Sequence, residues 1–313
     1  MEKVFGVDSY LIYGVETTYG TAATTIASVF GFVKSFKASE TWGLNKTYGS
    51  SGAAADRAPA QITSGTYENS LSVELEPLYW SWLEYVMGTV SGAGTAASPY
   101  VYVIAKNASS ITLSHCIDNV TTDRESLYLG CMIKDVTIRA SVGETVSVTL
   151  NIIGADVDKD STLTTRVALT DVAPFTFVDG SFELPDGTAI SNIIDSFEIT
   201  ISTGAKIRYG LGSAFGQIGY LSKVDYSVKV KFAYFDDTVY DLFLGGAAGA
   251  VAPTENANMA LKFEKTANRT IDFVFTKATI GDFNVDGTLH EVIDEDISIE
   301  SKSLIVTEVQ TES

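Results

Sequence analysis

The same short strand-like patterns occur twice along the chain, in the same order. SFKAS at residues 35–39 resembles SFEIT at 196–200, and the positions differ by 161 (196 − 35). DVTI at 135–138 resembles DISI at 296–299 with the same offset of 161 (296 − 135). A common offset in two separate segments indicates an internal repeat, which limits the fold to one that holds two similar units.

A third match links each copy to a short helix. LSVELE at residues 71–76 resembles YSVKVK at 226–231, and the offset of 155 (226 − 71) predicts a shorter loop in the second copy. After each strand, apolar residues recur at helical spacing and stop at a glycine, Gly88 or Gly245. The two apolar stripes are Leu78, Tyr79, Trp82, Leu83 and Val86, and Val239, Tyr240, Phe243 and Leu244. We therefore predict one short helix in each copy.

Alternation of apolar and polar residues predicts the fold class. Val136 and Ile138 are typical of strands that bury one face of a sheet. Tyr (15), Phe (16) and Gly (26) are abundant, which suits strands and turns. The sequence therefore predicts a mainly β protein with two tandem β-sandwich or barrel domains, residues 1–160 and 161–313. The polar stretch 156–161 is the expected join.

The net charge of −18 argues against one class of function. Proteins that grip nucleic acid neutralise phosphates with clustered Lys and Arg, whereas this chain has 21 basic and 39 acidic residues. Its 45% hydrophobic and 19% charged residues are typical of a folded protein rather than a disordered one. The sequence has no apolar run of membrane-spanning length, and MEKVFGVDSY does not resemble a secretory signal. We expect neither a membrane segment nor export.

Residues that could carry catalysis are few. His115 and His290 do not lie beside a Ser or Cys nucleophile motif, and isolated histidines in β proteins are more often structural or surface residues. Cys116 and Cys131 favour two buried thiols over a single disulfide. The sequence lacks phosphate-loop, H-E-x-x-H and C-x-x-C motifs. We expect no enzyme activity and no cofactor.

One acidic run resembles the beginning of a calcium loop. Asp156, Asp158 and Asp160 follow the D-x-D-x-D pattern. Such a loop needs glycine at its sixth position and glutamate at its twelfth, where this chain has Ser161 and Val167. We therefore expect no metal site.

Two other patterns favour structural roles over binding. GLGSAFG at residues 210–216 follows G-x-G-x-x-x-G rather than the dinucleotide pattern G-x-G-x-x-G, so it predicts a turn between strands. Tyr79, Trp80 and Trp82 would suit a carbohydrate platform, but they adjoin a helical apolar stripe, which favours core packing.

Two segments resemble the tail tube proteins of tailed viruses. ETTYGTA at residues 16–22 looks like the Glu-x-Thr-Tyr-Gly-Thr-Ala start of many phage tail tube proteins. GCMIKDVTI at 130–138, followed by GETV at 143–146, resembles their central strand pair. In length and in the order of motifs, the resemblance extends over nearly the whole chain.

The resemblance implies a virion structural protein whose rings stack into a hollow tail tube for the passage of DNA. It implies an N-terminal assembly arm, here residues 1–28, and a long loop, here residues 47–65, that reach neighbouring subunits or rings. The aromatic residues of the arm lie outside the repeat, so we expect them to have little core to fill. The candidate assembly residues are Tyr10, Tyr13, Glu16, Tyr19, Thr47, Tyr48, Arg57 and Gln61.

The resemblance also implies partners and a location. The partners are further copies of this chain, the tape measure, terminator and baseplate or tip proteins, and viral DNA that passes without specific binding. The location is the virion tail, assembled in the host cytoplasm. Tail tubes generally present six sandwich units around the bore, so two units per chain predict trimeric rings, with rings of six whole chains as the alternative. The alternative functions are a surface-layer, fibre or adhesin-like protein and, third, a β-sandwich glycosidase.

Overall fold

Strands dominate the computed structural model, which describes residues 9–48, 61–118, 123–160, 163–165, 167–169, 172–184, 194–233, 238–245, 258–287 and 294–311. The strands before residue 161 are β1 (Ser9–Val15), β2 (Gly31–Thr47), β3 (Gln61–Pro77), β4 (Gly88–Ser91), β5 (Tyr100–Ile104), β6 (Ile111–Ile117), β7 (Arg124–Ser141), β8 (Ser147–Gly154) and β9 (Asp156–Asp160). The later strands are β10 (Gly180–Glu183), β11 (Ile194–Ser202), β12 (Lys206–Tyr209), β13 (Gly216–Tyr220), β14 (Asp225–Ala233), β15 (Met259–Thr266), β16 (Arg269–Thr276), β17 (Thr279–Asp286), β18 (Asp294–Glu300) and β19 (Ser303–Gln310). The helices are α1 (Glu84–Met87) and α2 (Thr238–Leu244), with 3₁₀ turns at Ser81–Leu83 and Phe177–Asp179. The predicted mainly β class is confirmed.

Strands from both halves of the chain share each of the two large sheets. The long sheet has the order β17-β18-β14-β11-β7-β8-β3-β2, and β1, β6 and β9 extend it along the N-terminal part of β7. The second sheet has the order β10-β15-β16-β19-β5-β4, and β12 and β13 form a separate hairpin. The halves meet inside both sheets, where β7 pairs with β11 and β5 pairs with β19.

The residue pattern of each long-sheet strand determines which face it buries. In β14, Val228 and Val230 are buried, whereas Lys229 on the opposite face is exposed. The same alternation runs along β11, in which Ile199 and Ile201 are buried. Because side chains of a strand point alternately to opposite faces, the long sheet has one apolar face and one polar face.

The apolar face of the long sheet packs on the second sheet and forms one core. Phe197 of β11 contacts Phe263 of β15 with ring centroids 5.4 Å apart, and Trp80 contacts Phe273 of β16 at 5.5 Å. A single cluster of buried residues contains members from both halves. Truncating one of these large aromatic side chains to alanine costs about 3–5 kcal/mol in a typical core. The two halves therefore contribute jointly to the stability of the subunit.

Both predicted helices are present, and each ends at the predicted glycine. The helical segment before Gly88 and α2 before Gly245 end in left-handed conformations, with φ of 89° and 80°. Glycine adopts this conformation without the steric cost that a Cβ imposes. Trp80 and Trp82 are buried in the core, which confirms core packing rather than a stacking platform.

Two expected connections are partly strands. Residues 156–160, expected to join the halves, form β9 and pair with β7, and Val157 packs against the core. The loop predicted over residues 47–65 is shorter at both ends, because β2 continues to Thr47 and β3 begins at Gln61. Residues 49–60 lie outside the described part of the chain.

One of the sequence matches joins two strands that have different positions in the long sheet. Residues 296–299, which resemble residues 135–138 of β7, lie in β18. In the long sheet β18 lies beside β14, which is the position that β8 has beside β3. Next to β18 lies β17, which is the position that β7 has beside β8. By position in the long sheet, β17 rather than β18 corresponds to β7. Similarity alone misses this because short alternating strands resemble one another.

Candidate assembly surfaces

A buried carboxylate fixes the N-terminal segment against the sheet. Glu16 is 6% exposed. Its Oε2 accepts hydrogen bonds from the Gly20 N–H at 2.9 Å and the Ser110 hydroxyl at 2.6 Å. Its Oε1 accepts from the Thr112 hydroxyl at 3.0 Å and the Gly130 N–H at 2.8 Å. Four donors offset the cost of burying this carboxylate, so the segment after β1 is held on β6 and β7.

Gly130 makes room for Tyr19 at the same place. Gly130 has a φ of 62° in the middle of β7. A Cβ on it would lie 2.7 Å from the Cβ of Ala155 and 3.0 Å from the ring of Tyr19. Only glycine fits both this backbone conformation and this close approach. The two segments that resemble tail tube proteins, which contain Tyr19 and Gly130, therefore contact each other.

The two other tyrosines of the predicted arm also pack within the chain. Tyr13 is 1% exposed, and its ring lies 4.3 Å from that of Phe30. The Tyr10 hydroxyl donates to the Thr164 carbonyl at 2.5 Å. Burial raises the pKa of the Tyr13 hydroxyl above its ordinary value, so Tyr13 is neutral at neutral pH. The expectation that arm aromatics have little core to fill is wrong for Tyr13, because β1 pairs with β6 along its whole length.

The far end of the β2–β3 hairpin is exposed. Thr47, Tyr48 and Gln61 lie there with accessible side chains. Along the same hairpin, Leu44 and Ile62 are 59% and 55% exposed. Large apolar side chains grouped on a projecting element are typical of contact surfaces.

The eight candidate residues therefore fall into three groups. Tyr10, Tyr13, Glu16 and Tyr19 make contacts within the chain, and Thr47, Tyr48 and Gln61 are exposed on the hairpin. Arg57 lies outside the described residues. The structure thus separates residues that anchor the N-terminal segment from residues that face solvent.

Sequence reasoning missed an aromatic cluster that supports this hairpin. Phe215, in the turn between β12 and β13, has its ring 5.8 Å from both Trp42 of β2 and Tyr67 of β3. The Tyr67 N–H donates to the Ala214 carbonyl at 2.8 Å, and the Tyr209 hydroxyl donates to the Tyr67 carbonyl at 2.9 Å. A turn from the second half therefore holds the hairpin of the first half. The glycine-rich turn was predicted from sequence, but this contact is not local.

The polar face of the long sheet runs without interruption across both halves. Hydroxyl, amide and charged side chains occupy successive cross-strand positions because each strand alternates in the same phase. One such row consists of Ser147, Arg139, Glu198, Lys229, Ser298 and Asp282. An open concavity of about 540 Å³ on this face extends over β7, β11, β14, β17 and β18.

Carboxylates outnumber basic side chains on the polar face. The acidic residues are Glu68, Glu74, Glu76, Asp135, Glu198, Asp225, Asp282, Asp286, Asp294, Asp296 and Glu300, and the basic residues are Lys34, Lys37, Lys134, Arg139, Lys229 and Lys231. Four of the basic residues lie within 4.0 Å of a carboxylate on the same face. The face therefore has an acidic excess, and much of its basic charge is neutralised locally.

The long sheet ends in two edge strands, β2 and β17. Among the described residues, each has a strand partner on one side only, β3 for β2 and β18 for β17. An edge strand presents backbone N–H and C=O groups to any chain that approaches it. These two edges are therefore potential sites of strand pairing.

Two further buried carboxylates hold parts of the fold together. Glu125 accepts from the Ser114 hydroxyl at 2.5 Å and from the Thr164 N–H at 3.1 Å, which fixes the segment after β9. Glu308 accepts from the Tyr102 hydroxyl at 2.7 Å and the Trp80 N–H at 3.1 Å. Burial raises the pKa of Glu308 above its ordinary value, because the charged form loses its hydration.

His115, Cys116 and Cys131 have structural surroundings, and His290 lies outside the described residues. The His115 ring lies 4.6 Å from the Phe36 ring, and burial lowers the His115 pKa. Cys116 and Cys131 are free, buried thiols, as predicted. Within the described ranges, His, Cys, Asp and Glu residues do not form a group of three or more that could hold a metal ion. No helix in the described part of the chain is long and apolar enough to cross a membrane.

Comparison with known proteins gives one family match. The model of a family described as phage tail tube protein matches residues 6–301. Curated proteins give no match. The matched range includes the buried Glu16 contacts, both edge strands and the whole polar face.

Proposed function

Because this chain belongs to the phage tail tube protein family and is a structural protein of the virion tail, we propose that it assembles into stacked rings that form a hollow tube for DNA. The observation that carries this proposal is the long sheet with a continuous polar face and two open edges. A sheet of this kind can close on itself when copies pair edge to edge, and closure removes the exposed edges that would otherwise promote aggregation.

The proposed ring contains three chains. The long sheet joins an N-terminal set of four strands, β2-β3-β8-β7, to a C-terminal set of four, β11-β14-β18-β17. We propose that residues 1–160 and 161–313 are two copies of one unit, each contributing one set. Three chains of two units each then place six similar units around the bore, and rotational closure pairs both open edges of every long sheet.

The proposed wall of the bore is the polar face. Its acidic excess and locally neutralised basic residues would repel phosphates and leave few sites at which DNA could bind tightly. DNA would therefore pass without specific binding.

Contacts between stacked rings are assigned to the projecting parts of the subunit. The exposed hairpin residues Thr47, Tyr48 and Gln61 are the described candidates, together with Arg57 and the start of the N-terminal arm, which lie outside the described residues. Tape measure, terminator and baseplate or tip proteins are the proposed partners at the ends of the tube. Assembly would take place in the host cytoplasm.

Image reconstruction of tubes assembled from the purified protein tests these proposals. We expect hollow tubes with three chains per ring and a predominantly acidic lumen. Six whole chains per ring would overturn the trimer. A predominantly basic lumen would rule out the proposed wall. A protein that remains monomeric under all assembly conditions would contradict the function itself.

A further inference from the structure

The β7–β8 pairing and the β17–β18 pairing contain the same irregularity. The register of β7 with β8 shifts between Ile133 and Asp135. The register of β17 with β18 shifts between Ile280 and Asp282, 147 positions later in both cases (280 − 133 and 282 − 135). A β-bulge is a specific local feature, so its recurrence aligns β17 with β7 residue by residue.

A second bulge aligns β2 with β11. The β2–β3 register shifts between Val33 and Ser35. The β11–β14 register shifts between Ile194 and Ser196, which lie 161 positions later (194 − 33 and 196 − 35). Strands β7 and β11 pair with each other in the middle of the long sheet, whereas their counterparts β17 and β2 form its two ends. The pairing of β7 with β11 inside the chain, called the template below, therefore indicates how the end strands β17 and β2 of two chains would pair.

The template joins side chains of complementary chemistry on the polar face. Arg139 of β7 lies opposite Glu198 of β11. Asp135 lies opposite Ser202, whose hydroxyl donates to the Asp135 carboxylate at 2.6 Å. Opposite charges and hydroxyl–carboxylate pairs at facing positions stabilise strand pairing.

The same offsets place complementary residues at the two ends of the sheet. Arg139 corresponds to Asp286 (139 + 147) and Glu198 corresponds to Lys37 (198 − 161). Opposite charges therefore face each other again, with their signs exchanged. Asp135 and Ser202 likewise correspond to Asp282 and Thr41, which again oppose a carboxylate and a hydroxyl.

The exposure of residues on the apolar face of the sheet supports the same pairing. Ile138 of β7 is 0% exposed, whereas its counterpart Val285 in β17 is 60% exposed. Ile199 of β11 is also fully buried, whereas its counterpart Ala38 in β2 is exposed. At the template position these residues face each other, so a neighbouring strand would cover both Val285 and Ala38.

We propose that β17 of one chain pairs antiparallel with β2 of a second copy, with Asp286 opposite Lys37, Val285 opposite Ala38 and Asp282 opposite Thr41. This register rests on the proposed ring assembly and specifies its contact between chains. The contact is heterologous, since two different edges meet, so further copies can add at each free edge, and the proposed rotation of one third of a turn per chain closes the ring.

Charge reversal tests the register on the full chain. Lys37→Glu and Asp286→Lys each place like charges at facing positions, and each is expected to raise the protein concentration needed for tube formation about tenfold. The combined variant restores opposite charges and is expected to assemble at nearly the original concentration. Lys302→Glu, an exposed charge reversal in the turn between β18 and β19, is the control and should leave assembly unchanged.

Disulfide trapping measures the register independently. Ala38→Cys combined with Val285→Cys places the new thiols at facing positions, where Cβ atoms are about 4.5–5.5 Å apart and within reach of a disulfide after small adjustments. The expected product is a covalent link between chains in the assembled tube. Ala38→Cys with Phe283→Cys shifts one thiol by two residues and should link poorly. Cys116 and Cys131 are buried and do not compete.

The outcomes separate this register from ring assembly itself. Tubes that form at unchanged concentration in both single charge variants, or that cross-link only in the shifted cysteine pair, would overturn the register and leave the tube intact. Failure of the double charge variant to recover assembly would also count against it. A wild-type protein that forms neither rings nor tubes would remove the proposed function and the register together.

Discussion

Replacing Glu16 with glutamine should strongly destabilise the subunit, although the two side chains have nearly the same shape. The carboxylate accepts four hydrogen bonds, two on each oxygen, from the Gly20 and Gly130 N–H groups and the Ser110 and Thr112 hydroxyls. Glutamine keeps one acceptor oxygen and places an NH₂ group against two donors. Two of the four hydrogen bonds are therefore lost.

The expected loss follows from the strength of such bonds. Hydrogen bonds to charged groups contribute about 1.5–3 kcal/mol each, so losing two costs about 3–6 kcal/mol. This is a large share of the roughly 5–15 kcal/mol that stabilises a typical domain. With a urea m-value of about 3 kcal/mol/M, the unfolding midpoint should fall by about 1–2 M.

The assay is urea unfolding of the unassembled subunit, followed by tryptophan fluorescence. Trp80 and Trp82 are buried in the core and report its loss. Glu144→Gln is the matched control, since it removes the same charge from an exposed turn and should change the midpoint little. A midpoint shift for Glu16→Gln no larger than that of the control would refute the assigned role of Glu16.

Three further changes test other parts of the structure. Because the raised pKa of Glu308 lies above its unfolded value of 4.5, its protonated form stabilises the fold at low pH, and that contribution is lost as pH rises through the folded pKa. Glu308→Gln should therefore flatten this part of the curve of unfolding free energy against pH, measured by urea titrations from pH 4 to 8. An unchanged slope would contradict the assignment. Phe215→Ala removes two aromatic contacts worth about 0.5–1.5 kcal/mol each, so amide hydrogen exchange in the described end of the β2–β3 hairpin should accelerate about tenfold. Leu211→Ala in the same turn is the control and should not change the exchange rate, because the Leu211 side chain is fully exposed. Gly88 and Gly143 both have positive φ, but only at Gly88 would a new Cβ overlap a backbone oxygen. Gly88→Ala should therefore lower the thermal stability measured by calorimetry more than Gly143→Ala does. Equal losses would show that backbone conformation alone determines the cost.

Some parts of the structure could be predicted because they depend on local patterns. Alternation at period two requires strands with one buried face, which is why the mainly β class followed directly from residues such as Val136 and Ile138. The helix ends at Gly88 and Gly245 were predictable for a similar reason, since a glycine after an apolar helical stripe marks a left-handed cap. The buried thiols likewise followed from residue type alone.

Other parts depend on contacts between distant residues and could not be read from the chain. Residues 135–138 resemble residues 296–299 in sequence, yet β17, not β18, has the position in the long sheet that corresponds to that of β7, since strand pairing rather than composition decides the sheet order. The position of Tyr13 in the core and the support of the hairpin by Phe215 were equally hidden, because each depends on a segment brought from elsewhere.

The sequence by itself determined that the chain is built from amphipathic strands, that it carries a repeated pattern, and that its charge is acidic. Each of these is a property of neighbouring residues or of composition. Tertiary structure decided that the halves share one core and one continuous sheet, and that β2 and β17 become its open edges. The physical reason is that a strand's own residues specify which face is buried, whereas its neighbours are chosen by the packing of the whole molecule.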